Sequence, residues 1–177
     1  MNHCNNIENF SFSERDRLFI DANVWLSIFS PLAIQEPKLE HIYSRALSLI
    51  KAVGASAYTD THVLSEFVNR FAREEHKSSG ARKRKFKEFR QSNDFKEVAK
   101  EIGLQVKKIA IFATVISNSI TNSDILALMH EFENGNADFN DQVIITICRQ
   151  NGFTVITHDG DFALAGIPVL TANTKML

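Results

Sequence analysis

The sequence lacks several features that would define other classes of protein. Its two cysteines, Cys4 and Cys148, have no cysteine neighbour, which excludes the paired spacing of a zinc site. No apolar run approaches the ~20 residues needed to cross a bilayer. The first twelve residues have no signal-peptide core, and there is no repeat, Pro-rich linker or low-complexity tail. We therefore expect a cytoplasmic protein that does not use a membrane.

What is present fits a globular protein. A length of 177 residues, with 44% hydrophobic and 23% charged residues, favours one domain over residues 1–177 with a real core. The net charge is only -1, but residues 77–90 carry seven Lys or Arg and one Glu. This segment therefore has a local charge of +6, and the rest of the chain carries -7. A basic segment on an acidic protein indicates polyanion binding. A solvated helix face is the alternative.

Apolar strand patterns alternate with helical ones along the chain. Apolar or β-branched runs predict strands at residues 18–20, 55–58 and 153–157, and Pro168 can begin a last edge strand at 168–171. Helical spacing predicts helices at 39–53, from about 61, from 94 to about 117 with a break near Gly103, at 124–132 and at 141–150. Asn23 is a candidate cap for a short helix that ends before Pro31. The alternation predicts a three-layer α/β/α sandwich with a central, mostly parallel sheet, and a basic helical insertion at about 74–120.

Acidic residues fall at several predicted strand ends and helix starts. Asp21 follows the first strand, and Asp159 and Asp161 follow a later one. Glu66 lies in the first turns of a helix, and Asp138 and Asp141 stand three apart at the start of another. Because ligands bind at the carboxyl ends of parallel strands, these carboxylates are expected to meet at one crevice.

Crowded carboxylates repel one another, and a divalent cation relieves that repulsion. Hard oxygen ligands suit Mg²⁺ or Mn²⁺, and such a site hydrolyses phosphodiesters well. Each carboxylate also has a structural explanation. Acidic residues stabilise helix starts, and Asp159-Gly160-Asp161 can be a simple turn.

Four segments in this order resemble the PIN domain, including VapC-type toxins of toxin–antitoxin pairs. They are residues 18–25, residues 63–67 around Glu66, residues 138–144, and the strand and acidic turn at 153–162. The resemblance implies a parallel-sheet sandwich and a ribonuclease that needs Mg²⁺ or Mn²⁺. It also implies a possible homodimer and, in toxins, an antitoxin protein. Unlike small toxins, the chain has a longer stretch between Glu66 and Asp138, and about 17 residues before the first strand.

The resemblance also assigns roles by matched position. It makes Asp21, Glu66, Asp141 and Asp159 the catalytic residues and metal ligands, with Asp161 competing for the fourth place. Asp138 becomes an outer residue or a ligand of a second metal. Asn23 and Thr157 are expected to hold ligands or metal-bound water by hydrogen bonds. The residues expected to grip the RNA backbone are Arg82, Lys83, Arg84, Lys85 and Lys87.

Two other functions remain open at this point. A phosphoaspartate-type phosphatase also places an Asp at a strand end, but its second Asp would stand where this sequence has Asn23. A non-catalytic RNA- or protein-binding PIN module would keep the fold with a vestigial site, and the full acidic set argues against it.

Overall fold

A computed structural model of the protein describes residues 4–78, 84–117, 120–133 and 138–177. Six strands form one sheet in the order β1-β6-β5-β2-β3-β4, and every neighbouring pair is parallel. The strands are β1 (Cys4–Asn6), β2 (Arg17–Ile20), β3 (Ser56–Asp60), β4 (Thr114–Ile116), β5 (Thr154–Ile156) and β6 (Val169–Thr171). The helices are α1 (Ala22–Phe29), α2 (Leu32–Gln35), α3 (Pro37–Val53), α4 (Thr61–Ser78), α5 (Phe86–Arg90), α6 (Asn93–Phe112), α7 (Asn122–Glu133) and α8 (Phe139–Asn151).

The centre of the sheet is a pair of short apolar strands. Leu18, Phe19 and Ile20 of β2 are wholly buried, as expected for a parallel strand covered on both faces. In the strand register, Phe19 of β2 lies between Val155 of β5 and Tyr58 of β3. The carboxyl ends of β2, β3 and β5 therefore meet at one edge of the sheet.

Helix α3 shows how the sequence sets an element. Pro37 occupies the start of the helix, where its missing N–H costs nothing, and Gly54 ends it in a left-handed conformation at φ 73°. The face containing Tyr43, Leu47 and Ile50 is buried against the sheet. The predicted helix at 39–53 is thereby confirmed, and so is the predicted α/β/α sandwich with a parallel sheet.

The two outer strands differ from the sequence prediction. β1 pairs with β6 through Cys4 and Val169, so 169–171 is an inner strand and not the predicted edge. The polar run Cys4-Asn5-Asn6 has no apolar alternation to predict it, because it joins the sheet through its backbone.

The other edge strand, β4, follows α6 almost directly. A helix had been predicted to about Ser117 with a break near Gly103, but α6 runs without interruption to Phe112. One glycine in a helix interior costs only ~1 kcal/mol, which tertiary packing offsets. The β-branched residues Thr114, Val115 and Ile116 then pair with β3.

Helices α4, α5 and α6 form the basic helical region. Phe89 is buried against His76 of α4 and Phe95 of α6, with ring centroids 5.1 and 5.4 Å away. These aromatic contacts hold α5 between the two long helices. In the described part of the chain, no helix has both the length and the apolar character to cross a membrane.

Candidate active site

Asp21 anchors the site at the end of β2. Its Oδ1 accepts a hydrogen bond from the Ala22 N–H at 2.6 Å, so Asp21 itself caps α1. The prediction that Asn23 caps this helix was wrong, because Asn23 lies one residue inside it. Its Nδ2 instead donates to Asp21 Oδ2 at 2.6 Å. Asp21 is only 5% exposed, yet both of its oxygens are satisfied.

Thr157 connects this carboxylate to β5. The Thr157 hydroxyl donates to Asp21 Oδ2 at 2.8 Å and accepts from the amide of Asn23 and the N–H of Asp159, each at 3.0 Å. Asn23 Oδ1 in turn accepts from the His158 N–H at 3.0 Å. Asp21, Asn23 and Thr157 thus form one hydrogen-bonded cluster across the β2–β5 pair.

Tyr43 of α3 contacts this cluster through its hydroxyl, and the sequence did not identify it as a site residue. Its hydroxyl donates to the Thr157 carbonyl and accepts from the Ala172 N–H, both at 3.2 Å. The same hydroxyl lies 3.1 Å from His158 Nδ1, so the imidazole has a structural partner. The aromatic position in α3 was a possible signal, but core packing explained it equally well.

The carboxylates at this edge of the sheet influence one another's pKa values. Burial raises the pKa of Asp21 to about 6; the Thr157 hydrogen bond opposes the rise, and the carboxylates of Glu66 and Asp159 add to it. Burial likewise raises the pKa of Asp141 to about 7. Its charged neighbours, which raise the pKa further, are Asp159, Asp21, Asp138 and Asp161. Each of the six acidic residues named from the sequence therefore acts electrostatically on Asp21 or on Asp141.

Glu66 has a cationic neighbour on its own helix. Arg70, one helical turn later, pairs with its Oε1 at 3.1 Å. Both side chains are partly exposed, so the pair is weak and leaves Glu66 able to turn.

The structural explanations of two carboxylates also hold. Asp138 caps α8 by accepting from the Asn140 N–H at 2.8 Å, and Asp159 accepts from the Asp161 N–H at 3.1 Å. Asp141 is different. Within the described residues its half-buried carboxylate accepts no hydrogen bond, so helix capping does not account for its position.

The donor set suits a hard divalent cation. Carboxylate oxygens are the preferred ligands of Mg²⁺ and Mn²⁺. Burial raises the pKa of Asp21 and of Asp141, neighbouring carboxylates add to the rise, and a bound cation would oppose it. Across residues 4–78, 84–117, 120–133 and 138–177, no three acidic, His or Cys side chains stand close enough to ligate one ion as they are. Rotation of side chains such as Glu66 would be needed to close the coordination.

Comparison with known proteins now identifies the family. The PIN-domain family model matches residues 18–168, which include all four acidic segments. The chain belongs to the PIN-domain family. PIN domains are generally metal-dependent nucleases. No curated protein matches the sequence.

A solved structure supports the fold of this PIN domain. The crystal structure of PAE2754 from Pyrobaculum aerophilum matches it with a TM-score of 0.53 and 13% sequence identity, covering 91% of this chain and 94% of that one. At this identity the similarity concerns the fold alone.

The basic segment of the PIN domain is described only in part. Arg82 and Lys83 lie outside the described residues, and Arg84 pairs with Asp94 at 3.2 Å. Helix α4 rises ~1.5 Å per residue, so Lys77 lies roughly 17 Å along its axis from Glu66. The segment therefore begins well away from the acidic edge, and its role in binding RNA stays a prediction.

Asp60 is a further acidic residue at this edge of the sheet. It ends β3, is wholly buried, and its Oδ1 accepts from the Val63 N–H at 2.8 Å. Its Oδ2 has no hydrogen-bond partner among the described residues. Extending the β2–β3 register by two residues places Asp60 beside Asp21.

Proposed function

We propose that this PIN domain is an endoribonuclease that requires Mg²⁺ or Mn²⁺. The observation that carries the proposal is the electrostatic link among six carboxylates at one sheet edge, with Asp21 and Asp141 raised to pKa values of about 6 and 7. Among the described residues only Glu66 of this set has an ion-pair partner, the partly exposed Arg70, and a divalent cation would supply further counter-charge.

The residues proposed to hold the ion are Asp21, Glu66, Asp141 and Asp159, with Asp161 as the alternative fourth ligand. Asp138 is proposed as an outer residue or a ligand of a second ion. When bound, the ion would lower the pKa of water and offset charge on the phosphate.

The protein's own side chains have defined tasks in this proposal. The Thr157 hydroxyl and the Asn23 amide fix one oxygen of Asp21, and the Ala22 N–H holds the other, so the carboxylate is oriented before an ion binds. Asp141 accepts no hydrogen bond in the described residues and is free to meet a cation. Glu66 pairs with Arg70 one turn farther along α4, and the partly exposed pair would have to open for Glu66 to bind the ion.

Metal dependence is the first test of this function. Purified protein would be incubated with structured and unstructured RNAs in Mg²⁺, in Mn²⁺ and in EDTA. Cleavage is expected only with metal, and it should be lost in Glu66→Gln and Asp141→Asn. As a control, Glu97→Gln removes a surface carboxylate on α6 that pairs only with Lys100. Cleavage that persists in EDTA would contradict the mechanism.

Two alternatives are separated by simple assays. Hydrolysis of a small phosphate ester with no RNA cleavage would favour a phosphatase. Against that function, the position of the phosphatase's second Asp holds Asn23, whose amide donates to Asp21. A non-catalytic binding module would bind RNA or protein without cleavage. For such a module, calorimetry with Mn²⁺ would give the same heat of binding for wild type and for Asp21→Asn.

Narrower roles are also proposed within this function. A VapC-like toxin would act beside an antitoxin, and a neighbouring small gene for a DNA-binding protein would support that role. A homodimer is proposed as well, and light scattering on the purified protein tests it.

Contact between RNA and the basic segment is a separate proposal. Replacing Arg82, Lys83, Arg84, Lys85 and Lys87 together should weaken binding to every RNA. The slope of log affinity against log salt should shrink by up to ~0.7 per lost contact on single strands. An unchanged slope would assign the segment to a solvated face.

A further inference from the structure

A half-open apolar cavity lies at the opposite end of β3 from Asp60. Its volume is about 460 Å³, within the ~300–1,000 Å³ range of small-molecule sites. It forms where α3 ends, β3 begins and α6 ends. The lining consists of six apolar residues and two lysines: Phe29, Ile50, Ala55, Ala57, Ile111 and Phe112, with Lys51 and Lys108. We call it the amino-end cavity.

The two lysines give the amino-end cavity a definite sign of charge. Lys51 lies on α3 and Lys108 on α6, so they approach the opening from two elements. Among the residues that the structure describes, no carboxylate lies within 4 Å of either ammonium group. The Lys108 ammonium lies 5.9 Å from the centroid of the Phe29 ring, which keeps it over the cavity wall.

The wall of the amino-end cavity also leaves apolar surface uncovered. Ile111 is 87% exposed although it lines the cavity, and its own helix buries Ile109 completely. Water against such a side chain is unfavourable, and a ligand that covered it would gain roughly 25 cal/mol per Å² of buried apolar area. The cavity therefore combines apolar walls, two aromatic rings and two uncompensated cations.

We propose that the amino-end cavity binds a small organic anion with an apolar body. The body would pack against Phe29, Phe112 and Ile111, and the anionic group would meet Lys51 and Lys108. This site is separate from the acidic edge, and it does not depend on nuclease activity.

The test uses two fluorescent probes with the same N-phenylnaphthylamine body. 8-Anilinonaphthalene-1-sulfonate carries an anionic group, and N-phenyl-1-naphthylamine carries none. The double variant Lys51→Met with Lys108→Met keeps the apolar stems and removes both charges. It should weaken binding of the sulfonate about fivefold or more, as expected for two exposed charge contacts, and leave the neutral probe unchanged.

Matched controls make the result specific to the cavity. Lys107→Met removes an exposed charge from the same helix outside the lining, and it should change neither affinity. Ile111→Ser should weaken both probes, whereas Leu104→Ser, an exposed apolar position of α6 outside the cavity, should not. Equal sulfonate affinity in wild type and the double lysine variant would overturn the proposal. So would probe-induced methyl shifts in NMR spectra that miss Ala57 and Ile111.

Discussion

The ends of β2 and β3 carry similar residues in different surroundings. Asp21 and Asp60 end neighbouring parallel strands, and both carboxylates are buried. Asp21 accepts hydrogen bonds on both oxygens, from α1 and from Thr157 just after β5, and neighbouring carboxylates act on it. Asp60 caps α4 with one oxygen, and the other has no partner in the described residues.

Both aspartates cap a helix, so helix capping alone does not tell them apart. Asp21 is also held by two side chains on different elements, an arrangement that fixes a carboxylate in one direction and suits the ligand role proposed for it. Asp60 fixes the start of α4, and with it the position of Glu66 six residues later, and we propose no metal-binding role for it.

The sharpest test of the comparison is activity after neutralising each carboxylate. Asp21→Asn should reduce RNA cleavage by more than ~100-fold, because loss of a ligand should exceed the effect of losing its supporting residues. Asp60→Asn keeps an acceptor for the Val63 N–H and should stay within a few fold of wild type. Single-turnover cleavage with Mn²⁺ measures both. Equal losses in the two variants would remove the distinction.

The support of Asp21 can be tested next. Thr157→Val keeps the shape of the side chain and removes the hydroxyl that donates to Asp21 at 2.8 Å. We expect cleavage or Mn²⁺ affinity to fall ~10–100-fold. Thr114→Val, an exposed edge-strand position on β4, serves as the control. Wild-type metal affinity in Thr157→Val would show that the cluster does not orient Asp21.

The pH dependence of stability sharpens the comparison in the metal-free protein. The pKa of Asp141 is raised to about 7, whereas an unfolded aspartate titrates near ~3.9. Between these values the folded state holds more protons, so stability should fall as pH rises from about 4 to about 7. Asp141→Asn should reduce this slope and raise Tm at pH 8, by about 2–4 °C for each kcal/mol regained.

Calorimetry in EDTA from pH 4 to 8 measures this slope. Glu97→Gln, an exposed carboxylate on α6, should keep the wild-type slope. Adding Mn²⁺ at pH 8 should restore stability to wild type more than to Asp141→Asn. If Asp141→Asn kept the wild-type dependence of stability on pH, a group other than Asp141 would be responsible for that dependence.

The smallest expected effect concerns the cap itself. Asp60→Ala removes the acceptor for the Val63 N–H and should cost ~0.5–2 kcal/mol of unfolding free energy, whereas Asp60→Asn should recover much of it. Urea unfolding of both variants measures the difference. If alanine and asparagine destabilise equally, Asp60 acts through its charge and the capping role is wrong.

Much of the architecture could be predicted because local patterns and tertiary packing agree. The apolar run Leu18-Phe19-Ile20 predicts a buried strand, and the apolar spacing in α3 predicts a helix with one buried face; the structure has both. β1 and β4 were missed because a short strand at a sheet edge needs little side-chain burial and so leaves little pattern. The continuous helix through Gly103 shows packing overriding a weak local preference.

The strand-end and helix-start positions of the acidic residues could be predicted, but their contacts could not. Spacing along the chain located the acidic residues at one edge, since parallel strands end together. It did not show that Tyr43 reaches the Thr157 carbonyl from 114 residues away. The spacing of four between Glu66 and Arg70 permits their pair, but spacing alone does not show that the pair forms.

The pairing of β2 with β5 has a consequence for how the protein is made. Asp21 and Thr157 are 136 residues apart, and β5 enters the sheet only after nearly the whole domain has been synthesised. A nascent chain that has exposed Asp21 and Glu66 to the cell still lacks β5, α8 and the acidic turn. Under the proposed function, an unfinished polypeptide on the ribosome, surrounded by RNA, would therefore have no assembled centre for RNA cleavage.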